Sequence, residues 1–191
     1  MNKLSPLFFN RDTLVVAQDL LGKYLVRICH QTELIGKIVE TEAYIGNKDP
    51  ACHAYKSKTL RNEVMYREAG CFYVYFIYGM YYCLNIVTEE EGNPCAVLIR
   101  ALEPVSGLQQ MMEHRRVKKI EELTNGPSKL CQTLNINKEH NGLKVSSQEI
   151  YLVDGKEEKI EIVKTSRIGI RVGTENLWRF YIKNSPFVSK K

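Results

Sequence analysis

Along the chain, the pattern of apolar and polar positions marks out a helix, two strands, a polar loop, an aromatic hairpin and a further strand, in that order. Arg11 to Leu21 reads as a helix, with Asn10 as its cap and Gly22 as its stop. Lys23 to Cys29 and Leu34 to Tyr44 are rich in β-branched residues and predict two strands joined by a short His30-Gln31-Thr32 turn. From Gly46 to Gly70 the pattern is irregular and polar, which predicts a loop with a short helix after Asp49-Pro50. Aromatic and β-branched residues dominate Phe72 to Val87, with Gly79 near the middle. That stretch predicts two antiparallel strands meeting at a tight turn around Tyr78-Gly79. A strand over Cys95 to Leu102 follows the acidic turn at Glu89 to Asn93. Helical patterning covers Ser106 to Leu123 and Pro127 to Leu134. The rest, from Ile150 to Phe187, returns to short strands, including Trp178 to Lys183. The implied fold class is α+β: one domain over residues 1–191, with a curved, largely antiparallel sheet, surrounding helices and a protruding β-hairpin.

Composition narrows this little. A chain of 191 residues buries roughly 70% of its unfolded surface and needs no metal or disulfide to stay folded. Its 44% apolar and 26% charged residues are ordinary for a globular protein. No apolar run reaches the about 18 residues of a membrane span. Met1 to Asn10 lacks the shape of a signal peptide, so a cytoplasmic protein is expected. The six cysteines form no CxxC or CxxxC pair and the four histidines are scattered, so neither a metal site nor a cofactor is expected, and the thiols should be free. The net charge of +5 permits a polyanionic partner without requiring one. It is concentrated in two clusters, Lys56, Lys58, Arg61 and Arg67, then Arg115, Arg116, Lys118 and Lys119, either of which is as readily a solvated face.

Three stretches could carry chemistry. In the strand ending Glu40-Thr41-Glu42-Ala43-Tyr44, alternation puts both glutamates and Tyr44 on one face. Paired carboxylates beside an aromatic suit hydrolysis through an oxocarbenium-like sugar transition state, one activating water and the negative charge steadying the cation. Taken alone, however, the pair reads first as a polar strand end. In the hairpin, Tyr73 and Tyr75 lie on one face, Phe76 and Tyr78 on the other. Flat side chains of this kind can hold a nucleobase taken out of its stack, and an aromatic at the tip can fill the gap it leaves. On density alone they read first as core residues. Asn125-Gly126-Pro127-Ser128-Lys129-Leu130 suggests a helix start facing an anion, or no ligand at all. Cys52 beside His53 is a poor nucleophile and base pair, because adjacent residues seldom face each other.

Several blocks occur together in one order: Glu40 to Tyr44, Asp49 to His53, Arg61-Asn62, Tyr73 to Met80, Asn85, Leu98 to Pro104 and Gly126 to Cys131. In that order the chain closely resembles the alkyladenine (3-methyladenine) DNA glycosylase family, typified by the mammalian enzyme. The resemblance runs from about Leu7 to Val188 and ends in Arg179-Phe180-Tyr181 and Ser185-Pro186. It implies that Glu42 is the general base for the attacking water, with Arg100 holding the water and the backbone near it. It implies that Tyr44 and His53 stack on one face of a flipped base and Tyr75 on the other, with the His53 backbone reading the base edge. Asn85 would exclude the exocyclic amine of guanine. Tyr78 would be the wedge, and Gly79, Met80 and Tyr81 would continue the DNA-facing hairpin. Lys58, Arg61 and Lys129 are the expected phosphate contacts, so affinity should weaken steeply with salt. The Ala54 to Leu60 loop is shorter and less arginine-rich than in the mammalian pattern. No lysine sits in the Glu42 or Tyr75 motifs, so a monofunctional hydrolysis leaving an abasic site is expected.

The expected partner is double-stranded DNA containing damaged purines, with no membrane, and the protein is expected to be a monomer of bacterial type, nucleoid-associated through its substrate. Two rivals remain on the sequence: a lesion binder without catalysis, and a hydrolase of small nucleosides. Glu42 and Arg100 argue against the first, the hairpin wedge and basic loops against the second.

Overall fold

A computed structural model describes residues 2–155 and 159–190. Its frame is one antiparallel sheet, and the strand that organises it is β2 (Thr32–Ile45). β1 (Tyr24–Cys29) pairs with the first half of β2 through Tyr24↔Lys37 to Cys29↔Thr32. Further along, β8 (Arg179–Ile182) takes over that edge, at Glu40↔Tyr181 to Glu42↔Arg179. The opposite edge of β2 is covered from Ile35 to Ile45 by β5 (Cys95–Ser106). Beyond β5 come β4 (Tyr81–Thr88) and then β3 (Phe72–Ile77), while β6 (Ile150–Val153) flanks β1 and β7 (Ile162–Thr165) flanks β8. The sheet therefore forks along β2, and the second half of that strand has neighbours on both edges.

The sequence explains the curl. Against β5, β2 shifts register at Ile35/Gly36 and twice around Glu40, and such bulges bend and twist a strand. Gly36 is required at the first of these, since a Cβ there would lie 2.9 Å from the Leu102 side chain. Both sides of β2 are covered: Thr41 donates to the Ala17 carbonyl (2.7 Å) of helix α2 (Thr13–Asp19), so Glu40 and Glu42 project the other way. The core under this strand holds Val16, Ala17 and Leu20 of α2 with Phe72, Leu84, Ile86 and Ile99, all fully buried. Each such aliphatic or aromatic side chain contributes about 1.5–3 kcal/mol by burial.

Several predicted boundaries move. α2 is capped by Asp12, which accepts from the Leu14 and Val15 amides, not by Asn10; Asn10 instead ends the short α1 (Pro6–Phe9). The β1–β2 turn has only two residues, His30 and Gln31, both at positive φ, and Thr32 already belongs to the strand. After Pro50 the chain makes successive turns rather than a helix, with 3-10 turns at Gly46–Lys48 and Glu63–Tyr66. The helix expected over 106–123 is α3, Leu108–Arg115, alone. At Arg116 the backbone turns left-handed (φ 52°), and Arg115 reaches back to the Leu123 carbonyl at 3.1 Å. Four cations within positions 115–119 would crowd one another at helical spacing, which disfavours continuing it. α4 (Pro127–Thr133) starts at Gly126 and packs Leu130 and Cys131 into the core. The aromatic hairpin forms as expected, with Tyr78 and Gly79 both at positive φ in the turn. Among the described residues no helix is long and apolar enough to cross a membrane.

Candidate active site

Glu42 lies on the doubly flanked part of β2 and is 0% exposed. Its carboxylate is held from three directions. The Ile168 amide donates to Oε1 (2.8 Å), the Tyr44 hydroxyl donates to Oε2 (2.8 Å), and Arg100 Nη1 lies 3.3 Å from Oε1. Burial raises the Glu42 pKa above 4.5, opposed in turn by Arg100, the Ile168 amide and the Tyr44 hydroxyl. The result is a carboxylate more basic than one in water, yet with every donor needed to hold its charge.

Glu40 is equally buried but serves a different end. It accepts from Arg179 Nε (2.6 Å) and from both the amide (2.6 Å) and hydroxyl (2.9 Å) of Ser189, and Arg100 Nε lies 3.2 Å away. With these partners Glu40 is saturated, and Arg100 bridges it to Glu42. The alternation read from the sequence is thus preserved through the bulges: Glu40, Glu42 and Tyr44 do share a face.

In front of Glu42 opens a cavity of about 540 Å³, within the range of small-ligand sites. Tyr44, His53, Tyr73, Tyr75, Tyr78, Asn85, Arg100, Ser128 and Ile168 line it. Glu42 itself sits just behind the lining, beneath Tyr44, Arg100 and Ile168. A second depression, about 980 Å³, lies between Arg11, Lys56 and the Glu89–Glu91 turn. It is larger but shallow, and none of the groups around Glu42 faces it.

Besides Tyr44 of β2, Arg100 of β5 and Ser128 of α4, the cavity walls draw on four further parts of the chain. β3 supplies Tyr73 and Tyr75, whose rings are 5.3 Å apart; β4 supplies Asn85, whose amide donates to the Tyr73 carbonyl (3.1 Å). The loop after β2 supplies His53, set in place by Tyr73 through Nδ1 (2.9 Å) and by Asn62, which donates to the His53 carbonyl (2.9 Å). Beneath that loop a second apolar cluster of Cys52, Ala54, Val64, Met65 and Val87 makes its floor rigid. The fourth part is the Ile168–Val172 segment. His53 keeps an open edge at the mouth, but the surrounding rings and the Arg61 charge pull its pKa below the usual imidazole value, so it is neutral at pH 7. His53 and Tyr75 meet edge-on, centroids 4.5 Å apart and 78° between planes. A flat ligand placed between them requires one ring to turn aside.

Other expected residues lie at the cavity rim or beyond it. Tyr78 is 80% and Met80 64% exposed at the hairpin tip; Met80 and Tyr81 border a smaller neighbouring hollow with His114 and Gln132. Arg61 is spent on the hairpin, donating to the Phe76 carbonyl (3.1 Å) and lying 5.4 Å over the Tyr75 ring. Lys58 lies 5.3 Å over Tyr66, and Lys129 is tied to Asn125 (2.7 Å). None of these three cations lines the cavity. All six cysteines are free and buried, and burial pushes the Cys52 thiol up to about 11, so it stays protonated at neutral pH. Among the described residues no group of three or more His, Cys, Asp or Glu side chains is placed to hold a metal ion.

Residues 7–186 match the family model described as methylpurine-DNA glycosylase. The chain belongs to that family. The glycosylase is 50% identical to a Clostridium novyi protein over the whole of both chains. It is 51% identical to one from Clostridium perfringens, over 96% of this chain and 97% of that one. It is 47% identical to one from Francisella tularensis, again over both full lengths. All three are provisionally named 3-methyladenine DNA glycosylases. Membership makes this glycosylase a base-excision-repair hydrolase of N-glycosyl bonds with DNA as its substrate. Sequence reasoning on this glycosylase missed Arg167, Ile168, Arg179 and Ser189 as parts of the site. Only their place in the fold connects them to Glu42, so no local motif marks them.

Proposed function

We propose that the protein excises alkylated or deaminated purines, such as 3-methyladenine, 7-methylguanine, hypoxanthine and ethenoadenine, from duplex DNA after the nucleotide has been flipped into the cavity. The observation that carries this reading is the buried, triply held Glu42 behind a cavity walled by Tyr44, His53 and Tyr75. Glu42 takes a proton from a water molecule as the water oxygen bonds to the anomeric carbon. The N-glycosidic pair leaves with the purine, whose ring nitrogen is charged already or takes a proton from solvent as it departs, and an abasic sugar remains. The fixed negative charge of Glu42 also steadies the cationic sugar. Aromatic walls bind any flat purine, so discrimination falls to Asn85, at the cavity edge, against an exocyclic amine. Among the described cavity-lining residues there is no lysine, which supports hydrolysis without a Schiff-base step. Tyr78, at the exposed tip, is suited to fill the space the flipped nucleotide vacates.

The test is base release from a duplex carrying one hypoxanthine, by wild type and by Glu42→Gln, with strand scission read with and without alkali. Alkali-dependent scission that falls about 100- to 10,000-fold in the variant, with duplex binding retained, is expected. Tight binding with no excision of this or an ethenoadenine duplex would overturn the reading in favour of a lesion binder.

A further inference from the structure

Arg167 and Asp49 form a salt bridge with both side chains 0% exposed, between residues 118 apart in sequence. It is bidentate: Nη1 meets Oδ2 at 2.5 Å and Nη2 meets Oδ1 at 2.8 Å. The same guanidinium donates to the Ala43 carbonyl (2.9 Å), and its carbon lies 4.7 Å from the Tyr44 ring centroid and 5.0 Å from that of Trp178. Asp49 in turn accepts from the amides of Ile45 (3.3 Å) and Ala51 (3.0 Å). One ion pair therefore joins the end of β2, the loop leading to His53, and the segment whose next residue, Ile168, donates to Glu42. A pair so deep is a poor device for stability, since desolvation offsets most of its attraction. It is too deep to meet a phosphate. What it supplies is geometry, because a planar fork held by two carboxylate oxygens and a carbonyl, with two aromatic rings close by, has little freedom.

We propose that Arg167, clamped by Asp49, is a positioning residue that sets the reach of the Ile168 amide to Glu42 and the plane of the Tyr44 ring. The inference rests on the reading of Glu42 as the base. Glu42 is faced by Glu40 and Tyr44 from its own strand, Arg100 from β5, Arg179 from β8, Cys83 from β4 and Arg167 from the loop. Of the groups that hydrogen-bond to Glu42, Tyr44 lies against the Arg167 guanidinium and the Ile168 amide follows it in the chain. Lysine at 167 keeps the charge but loses the fork and the flat stacking surface.

The experiment is single-turnover excision from the hypoxanthine duplex as a function of pH, with full-length wild type, Arg167→Lys and Asp49→Asn, and thermal unfolding of each. Expected are a plateau rate lowered about 100-fold with duplex affinity retained, and an acid limb displaced to higher pH, because Glu42 loses donors that favour its ionised form. Gly173→Ala is the gentler variant, should either of the others not fold. Its added Cβ would sit 3.2 Å from Arg167 Nη2 and press on the pair without removing a charge, moving the limb the same way by less. A lowered plateau with the limb unmoved would show a merely structural pair and overturn the positioning role. A wild-type enzyme with no acid limb, or whose excision survives Glu42→Gln, would overturn the reading of Glu42 and this inference with it.

Discussion

Arg100 Nη1 lies 3.3 Å from Glu42 Oε1, and the two side chains are 10% and 0% exposed. An ionised carboxylate at that depth needs a cation within reach, and Arg100 is held there by Glu40 behind it. Glu40, Glu42, Arg100 and Arg179 together make a charge-neutral quartet under the cavity.

Removing one member leaves an unpaired buried charge. Arg100→Met should cost about 3–5 kcal/mol in stability, read by denaturant unfolding. Excision of a neutral lesion such as hypoxanthine should fall at least about 100-fold, with the acid limb of the rate moving to higher pH, as Arg100 is the strongest influence holding the Glu42 pKa down.

The raised Glu42 pKa has two signs of effect. As a base, Glu42 must be ionised, so the acid limb of excision should lie above 4.5. For stability, the folded state holds that proton more tightly than the unfolded chain does. The contribution of Glu42 is favourable at low pH and is lost as pH rises through the raised value. Glu42→Gln does not titrate, so its melting temperature relative to wild type should climb with pH through that window. A difference constant across pH would contradict this.

Tyr78 adopts φ 54° while 80% exposed, a backbone state that costs a residue of its kind about 1 kcal/mol and suits asparagine better. Tyr78→Asn should therefore leave stability equal or slightly higher. Excision from a paired duplex should nonetheless drop about 10- to 100-fold, roughly the 1–3 kcal/mol of a lost wedge. Comparison with a lesion opposite an abasic gap, where no wedge is needed, checks the cause.

The basic residues should separate by salt dependence. Lys58 is exposed and lies over Tyr66, so Lys58→Ala should reduce the slope of log affinity against log salt by about 0.9. Arg61 is engaged with Phe76 and Tyr75. Arg61→Ala should instead slow excision by loosening the hairpin, with a smaller change in slope, measured by titrating duplex at several salt concentrations.

The residues with local signatures were legible in the sequence. Strand alternation put Glu40, Glu42 and Tyr44 on one face, and a glycine among aromatics fixed the hairpin turn at Tyr78-Gly79. The Gly126-Pro127 helix start needed only its own neighbours. The cap of α2 was misassigned because Asn10 and Asp12 are both good caps, and only the packing of α1 decides between them. The length of α3 was misjudged because apolar spacing continues past the point where charge crowding and Arg115 fold the chain back. Arg167, Ile168, Arg179 and Ser189 were illegible for a different reason: their partners lie 118 to 149 residues away, and periodicity carries no information at that distance. Lys58, Arg61 and Lys129 carried charge at suitable places, but charge alone could not show that Arg61 is committed to the hairpin.

The fork along β2 has a consequence for how the protein comes into being. Glu42 is made early, but its amide donor arrives at Ile168, and Glu40 waits for Arg179 and Ser189. A chain emerging from the ribosome thus carries Glu42 with Tyr44 and Arg100 well before the Ile168 amide that completes its partners. Any product truncated before residue 168 lacks the amide that donates to Glu42. The full set of hydrogen bonds around Glu42 and Glu40 is thus a property of the finished chain alone.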